Sequence, residues 1–208
     1  MTELKSDVID FTMMYATHAA FRRDLDRLIA AADAGVTGSP TVRAGWENFK
    51  FQIHLHHTVE DTYLWPLVAR KVAGRPRDLA LSKEMEAEHS QLDPLIAKVD
   101  RALAAQTPDL PEFARNLSAA IGGHLSHEED AALPLMQSVL TQADWRGFRS
   151  AMTRAQGIKG GAVYIPWVMD DRPPAARQEF LAQLPPPARL INRLVWERRY
   201  QQRNLWKV

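Results

Sequence analysis

Apolar side chains recur at alternating spacings of three and four residues along four successive stretches of the chain. This spacing places them on one face of an α-helix and predicts four amphipathic helices, over residues 6–33, 41–73, 77–105 and 111–140. Segments rich in glycine, proline and polar residues separate these stretches, and such short connections favour antiparallel neighbours. The predicted fold is therefore all-α, an up-down-up-down four-helix bundle.

Polar residues interrupt each of the four apolar stripes. The first and third stripes contain one His each, and the second and fourth contain a His followed four residues later by a Glu. The six residues are His18, His56, Glu60, His89, His124 and Glu128. Six separate polar intrusions would leave many unsatisfied groups in the core. Helix bundles build two-metal carboxylate sites from such facing His and Glu side chains, so the pattern predicts a shared metal site.

Other histidines and acidic residues lie close to the six in sequence. His54 and His57 do not share the helix face of His56, so each is expected to be exposed or to support a ligand. His127 lies near His124 on its helix, and a role in orienting a ligand is one alternative to a surface position. Asp61 and Glu129 each follow a predicted ligand carboxylate, and they are expected to be solvated or to hold a ligand in place.

Two tyrosines flank the predicted site. Tyr15 precedes His18 by three residues, and Tyr63 lies three residues beyond Glu60 on the same stripe. Packing in the core is one interpretation of both. The other is catalytic, because a tyrosine at this position would supply an oxygen ligand or donate a hydrogen bond to bound oxygen species.

Prolines are expected to distort the predicted helices. Each Glu of the repeated motif is followed six residues later by a proline, Pro66 or Pro134. Proline removes a backbone donor and clashes with the preceding turn, so Pro66 is expected to kink its helix. Pro94 is expected to bend the third helix.

Composition restricts the chemistry of the site. The 208 residues include no cysteine, which excludes disulfides, iron–sulfur clusters and blue copper. The net charge of +1 gives no argument for a nucleic-acid partner. Neither a signal-peptide pattern nor an apolar run of membrane-spanning length is found. A cytoplasmic protein without a membrane partner, monomeric or homodimeric, is therefore expected.

The character of the sequence changes after residue 140, which suggests a bundle domain over 1–140 and a helical extension over 141–208. A short helix is expected over 141–155, broken by the glycines at 157, 160 and 161, with two more helices over 174–183 and 187–202. The basic final segment is interleaved with apolar residues, and it is expected to pack back on the bundle. Residues around Tyr164 and Trp167 are expected to cover one end of the metal site.

The six-residue pattern, with the acidic residue and the proline that follow each Glu, resembles the hemerythrin-like family, also called the HHE cation-binding domain. The resemblance covers about residues 6–140 and implies a four-helix bundle that holds two iron ions with an oxo or hydroxo bridge. It also implies a role for each ligand. The two His of the repeated motif would be terminal ligands, the two Glu would bridge the irons, and His18 and His89 would complete the shells.

The chain departs from the oxygen-carrying members of this family. The resemblance to those members implies a site of five His and two carboxylates, with two of the His four residues apart on the third helix. Here Met85 and Asp93 lie on either side of His89, so one position is open or is filled by water, a tyrosine or another side chain. An open position favours reaction with dioxygen or peroxide. Some bacterial relatives with long C-terminal extensions, including mycobacterial ones, are associated with catalase-like activity.

The leading hypothesis is a non-haem di-iron oxidoreductase that reacts with dioxygen or hydrogen peroxide, catalase-like or oxidase-like, with a role in oxidative stress. One alternative is a module that binds, senses or stores iron, oxygen or nitric oxide without turnover. Another is a structural metal such as zinc. Spacing alone does not choose among iron, zinc and manganese.

Overall fold

The structure, a computed structural model, describes residues 8–207, and every regular element within this range is helical. The α-helices are α1 (Thr12–Asp33), α2 (Pro40–Val59), α3 (Trp65–Lys71), α4 (Pro76–Ala105), α5 (Leu110–His127), α6 (Leu133–Val139), α7 (Gln142–Met169), α8 (Pro174–Ala182), α9 (Pro186–Ile191) and α10 (Glu197–Gln202). Three π turns, Glu60–Leu64, Glu128–Ala132 and Asn192–Trp196, join α2 to α3, α5 to α6 and α9 to α10. Within residues 8–207, no helix combines the length and apolarity needed to cross a bilayer.

The bundle is formed by α1, the α2–α3 pair, α4 and the α5–α6 pair. Helix α1 packs against α2 and α5, and α4 packs against α5 and α3, so the four columns close around one interior. The apolar stripes of the sequence meet there, with Phe21, Ile53 and Ile121 all fully buried. The prediction of an all-α bundle followed by additional helices is confirmed.

A π turn begins at the Glu of each His-x-x-x-Glu motif. The amide of Trp65 bonds to the carbonyl of Glu60, five residues back, instead of the carbonyl four residues back. The same geometry recurs at Glu128. In each case proline is the second residue after the turn. Because proline clashes with the carbonyl four residues before it, widening the turn by one residue relieves the clash. The kink predicted at Pro66 is therefore a π turn just before it.

Each π turn also rotates the buried face of the helix that follows. Leu64 and Val68 are fully buried, whereas Tyr63 and Leu67, the positions expected from an unbroken helical period, are only partly buried. In the second copy of the motif, Ala132 is fully buried, whereas the residue before it, Ala131, is only partly buried. Helix α4, in contrast, runs without interruption through its internal proline.

The first helix begins later than the sequence predicts. It begins at Thr12, and residues 6 and 7 of the predicted helix lie outside the described residues. Residues just before the helix are held by tertiary contacts. The Asp10 carboxylate accepts from the Thr12 amide at 2.8 Å, and the Asp10 carbonyl accepts from the Trp145 indole at 3.2 Å. These contacts hold the segment outside the helix.

The extension begins with α7, which is broken at Gly157. There φ is +60° and ψ is −179°, a conformation that is essentially restricted to glycine. The predicted break at this residue is confirmed, but the prediction that Gly160 and Gly161 also break the helix is wrong. Residues 158–169 are helical, because Trp167 and its neighbours are buried against the bundle. Burial overrides the low helix propensity of the glycines.

A buried polar network fixes the extension to α1. Asp24 is 1% exposed and accepts from the Trp167 indole at 2.8 Å. Arg23 pairs with Asp24 at 2.8 Å and donates to the Trp167 carbonyl at 2.9 Å. The predicted boundary at residue 140 falls between α6 and α7. Independent folding of residues 1–140 stays a prediction.

The C-terminal segment packs on the bundle only in part. Tyr200, Leu205 and Trp206 are buried, and the Trp206 amide donates to the Thr41 carbonyl at 3.0 Å. Four apolar side chains before them are exposed: Leu190, Ile191, Leu194 and Val195. The segment is therefore buried at Tyr200, Leu205 and Trp206 and exposed at the apolar residues of 190–195, and its packing on the bundle as a whole stays a prediction.

We expect Gly45→Ala to destabilise the protein. A Cβ at position 45 would lie 2.4 Å from the rigid indole of Trp206, so the C-terminal segment must shift. The expected loss is about 1–3 kcal/mol in the free energy of unfolding, measured by urea denaturation. Gly123→Ala is the matched control, because a Cβ there meets nothing within 4 Å. It should stabilise the helix by about 0.5–1 kcal/mol, and equal effects of the two variants would contradict the packing described.

Candidate metal centre

The six predicted ligands converge at the centre of the bundle. Each is at most 4% exposed, and they come from α1, α2, α4, α5 and the starts of two π turns. The histidines form two pairs: Nε2 of His18 lies 3.4 Å from Nε2 of His56, and Nε2 of His89 lies 3.1 Å from Nε2 of His124. The first pair joins α1 to α2 within the first hairpin, which runs from α1 to α3. The second pair joins α4 to α5 within the second hairpin, which runs from α4 to α6.

The two glutamates lie beside these pairs. Glu60 is close to both, with Oε1 3.2 Å from His56 Nε2 and Oε2 3.7 Å from His89 Nε2. Glu128 Oε2 lies 3.2 Å from His18 Nε2. His18, His56 and Glu128 each present a ligand atom to a common point. A carboxylate that lies next to both histidine pairs has the position of a bridging ligand.

The chemistry of this donor set fits metal cations. Glu60 and Glu128 are completely buried, and none of their four carboxylate oxygens has a hydrogen-bond partner among the described residues. Buried carboxylates without partners are strongly unfavourable unless a cation neutralises them. The Nε2 atoms of each histidine pair lie 3.1–3.4 Å from one another in the same interior, a close approach of nitrogen donors that a shared cation would use. Bound cations would satisfy both sets of atoms together.

Burial and neighbouring charges shift the pKa values of the buried carboxyls and imidazoles, and the shifts of the two glutamates have opposite directions. It raises the pKa of the Glu60 carboxyl well above its ordinary value, and the negative charge of Glu128 adds to the rise. For Glu128, burial opposes ionisation but the charge of His18 outweighs it and lowers the pKa to about 2. Burial lowers the pKa of His56 to about 3 and that of His57 well below its usual value. Neutral imidazoles of this kind are the form that binds metal.

The acidic residue after each Glu holds a histidine of the other hairpin. Asp61 Oδ1 lies 2.7 Å from His89 Nδ1, and Glu129 Oε1 lies 2.8 Å from His18 Nδ1. Arg22 also donates to Glu129, at 2.7 Å. A carboxylate at Nδ1 keeps the proton there and leaves Nε2 free for a metal. Both acids therefore contact histidines that are predicted to be ligands, which is one of the two roles expected for them.

Glu88 has the same role for a third histidine. Its carboxylate lies 2.8 Å from His124 Nδ1 and 2.7 Å from His127 Nδ1, so His127 reaches the site only through Glu88. Glu88 has no signal in the sequence, because it lies in a charged stretch with no distinctive spacing. His56 alone lacks such a partner, and its Nδ1 is buried without a hydrogen bond.

His57 is a further site residue that the sequence analysis did not assign. It is 7% exposed, its ring stacks on that of His89 at 4.0 Å, and its Nε2 has no partner. His57, His89 and His124 present ligand atoms within 4.8 Å of one another. The sequence contains a signal for the burial of His57. It lies four residues after Ile53 and three before Glu60, a helical spacing that continues a buried stripe up to the π turn. His54 is exposed, as one of its two expectations stated.

The two tyrosines named as catalytic candidates are not at the site. Tyr15 is 46% exposed, on the outer face of α1. The hydroxyl of Tyr63 packs against Gly147 of α7, because the π turn rotates this residue off the seam. A third tyrosine lies closer. Tyr164 of α7 shares a hydrogen bond of 2.7 Å with the Thr17 hydroxyl, next to His18.

Comparison with known proteins identifies one family. A family model described as the hemerythrin HHE cation binding domain matches residues 10–136, which includes all six predicted ligands and the two acidic residues that follow the glutamates. No curated protein and no solved structure matches the chain. The matched residues end within α6, before the extension begins.

We expect Asp61→Asn to weaken metal binding by about 10–100-fold, because a neutral amide accepts a weaker hydrogen bond from His89 Nδ1 than the carboxylate does and no longer raises the basicity of Nε2. Asp130→Asn is the matched control: Asp130 is an exposed acid that follows the second motif and has no contact with a ligand histidine in the described structure. Competition with a chelator measures both affinities. An equal loss in the two variants would indicate a general effect of charge and contradict the specific contact.

We also expect metal affinity to fall as the pH is lowered. Burial raises the pKa of Glu60, and although burial opposes protonation of His18, Glu128 and Glu129 outweigh it and raise the pKa of that imidazole. Both groups must lose a proton before they can bind a cation, so protons compete with metal more strongly at low pH. Titration between pH 8 and pH 5 in two buffers of different ionisation enthalpy should show proton release. An affinity independent of pH would contradict this account.

Proposed function

The chain belongs to the hemerythrin HHE cation-binding family, and from that premise we propose that it is a non-haem di-iron protein that reacts with dioxygen or hydrogen peroxide. The observation that carries the proposal is the division of the ligands into two histidine pairs with Glu60 beside both. Two cations in such a site would share carboxylate ligands and act as a unit.

The proposed ligands of the first ion are His18 and His56, and those of the second are His89 and His124, with Glu60 and Glu128 bridging. Two iron ions held in this way would supply the redox equivalents for reaction with an oxygen species. Asp61, Glu88 and Glu129 orient three of the four imidazoles through Nδ1, which would leave the Nε2 atom of each available to a cation. The apolar bundle around the site excludes bulk water and limits access to small molecules.

The two halves of the proposed centre differ in their surroundings. His57 lies on the side of His89 and His124, where it would add a third imidazole. On the other side, His56 lines a cavity that leads toward α7 and the C-terminal helices. The half formed by His18 and His56 therefore has fewer nitrogen donors and better access. We place the reaction with small oxygen species at this half.

One observation favours a second candidate, reversible binding of dioxygen or nitric oxide without turnover. If His57 binds metal, the site has five His and two carboxylates, the same count as the oxygen-carrying members that the sequence was compared with above. The position that the sequence left open would then be filled by a residue of α2. The role of His57 thus decides between the two candidates.

The proposal predicts about two irons per chain, near-ultraviolet charge-transfer bands and consumption of hydrogen peroxide with release of oxygen. Glu60→Gln and Glu128→Gln should each lose most of the metal, because an amide cannot neutralise or bridge the cations. Elemental analysis, absorption spectra and an oxygen electrode measure these properties. Two irons without peroxide consumption would favour the binding module, and zinc, or an intact fold that binds no metal, would contradict both candidates.

His57→Gln tests whether His57 binds metal: a ligand role predicts that the variant retains about two irons but has a changed absorption spectrum, because one nitrogen donor at the second ion is lost. His54→Gln is the matched control, since His54 is an exposed histidine on the same helix. A spectrum and a rate identical to those of the wild type in both variants would show that His57 does not bind metal.

A further inference from the structure

A cavity of about 330 Å³ lies between the bundle and the C-terminal extension. Its walls come from α1, α2, both halves of α7, the segment after α8, α9 and the last π turn. Most of the lining is apolar, and it includes Met14, Phe148, Met152, Ile165, Leu184 and Trp196. The volume is within the range that binds small organic molecules and exceeds what dioxygen or peroxide needs.

The cavity opens to solvent between the two helical parts of the extension. Ile158, just after the break in α7, is 86% exposed, and Pro185, in the segment after α8, is also exposed. Both residues line the cavity. An exposed isoleucine at the mouth extends the apolar lining to the surface, which suits entry of an apolar molecule.

The polar groups of the cavity favour a negative charge. Its lining contains Arg149 and His56 but no Asp or Glu. Arg149 is held in place by a hydrogen bond of 3.0 Å to the Gln183 carbonyl. An apolar cavity with one guanidinium and no carboxylate is electrostatically suited to an anion with an apolar body.

His56 connects the cavity to the centre of the bundle. Its Nε2 lies near His18 and Glu60, so its Nδ1 points away from them, and this atom is buried without a partner. The Nδ1 atoms of His18, His89 and His124 each lie 2.8 Å or less from a protein carboxylate. The outer nitrogen of His56 thus lacks the one contact that the other three histidines share.

We propose that this cavity binds a small amphiphilic carboxylate, whose apolar body fills the space between the bundle and the extension. Arg149 pairs with its carboxylate, and His56, which also lines the cavity, brings the ligand next to the proposed metal centre. Binding requires only the cavity and these groups. The influence of the ligand on iron through His56 rests on the function proposed above.

Calorimetric titration of the full-length, metal-loaded protein with decanoate and with decanol tests the proposal. We expect saturable binding of one decanoate per chain and at least tenfold weaker binding of decanol. Gly161→Leu should reduce decanoate affinity at least tenfold, because Gly161 lines the cavity and a side chain there enters open space. Met152→Trp fills the same cavity from the other part of α7 and replaces Gly161→Leu if that variant does not fold. Gly74→Leu, at an exposed glycine far from the lining, is the control.

Arg149→Gln tests the charge. It should reduce decanoate affinity to that of decanol while leaving decanol binding unchanged. Arg146→Gln removes an equal charge from an exposed position on the same helix and should change neither affinity. Absence of decanoate binding, or equal affinity in wild type and in both cavity-filling variants, would overturn the proposal. Equal binding of decanol and decanoate to the wild type would overturn the assignment of a carboxylate ligand.

Iron content and peroxide consumption of the same preparations separate this proposal from the function proposed above. Decanoate binding without iron or peroxide consumption supports the cavity and contradicts the di-iron function. Peroxide consumption without decanoate binding supports the di-iron function and overturns the cavity proposal.

Discussion

Two fully buried carboxylates, Glu60 and Glu128, impose the main constraint on this structure. Neither finds a hydrogen-bond donor among the described residues, and their mutual repulsion makes the ionised pair unfavourable in the absence of a cation. The surrounding elements are arranged accordingly. Four imidazoles face the pair, and outer carboxylates orient three of them.

The π turns show how a local distortion of the backbone serves the site. Each begins at a glutamate and ends just before the segment that contains the proline, so one device is used in both copies of the motif. The extra residue changes which side chains follow the glutamate into the core, and Leu64 replaces Tyr63 there. Helix bulges of this type are frequent at functional sites, where they aim side chains that a regular helix would direct elsewhere.

Much of the centre could be predicted from spacing alone. The six residues interrupt regular apolar stripes, and the structure brings all six together, because a periodic stripe specifies a face of a helix whatever the tertiary details. The residues that spacing could not assign lie next to the π turns or on other elements. The π turn takes Tyr63 off the seam. His57 lies on a second buried stripe of α2, and Glu88 approaches from a helix whose polar face carries no period. The helix after Gly157 was missed because its stability comes from burial against α1, which has no local signature.

Each hairpin supplies a carboxylate that contacts a histidine of the other hairpin, and this arrangement has a consequence for folding and for the effects of substitutions. Asp61 of the first hairpin holds His89 of the second, and Glu129 of the second holds His18 of the first. Neither hairpin can therefore assemble a properly oriented set of imidazoles by itself, although each contains a complete motif. The centre forms only after contacts between residues 28 and 111 positions apart are established, so its assembly reports long-range docking and not helix formation. A substitution of Asp61 or Glu129 therefore changes the orientation of a histidine in the other hairpin, and we expect substitutions in the two motifs to be correlated.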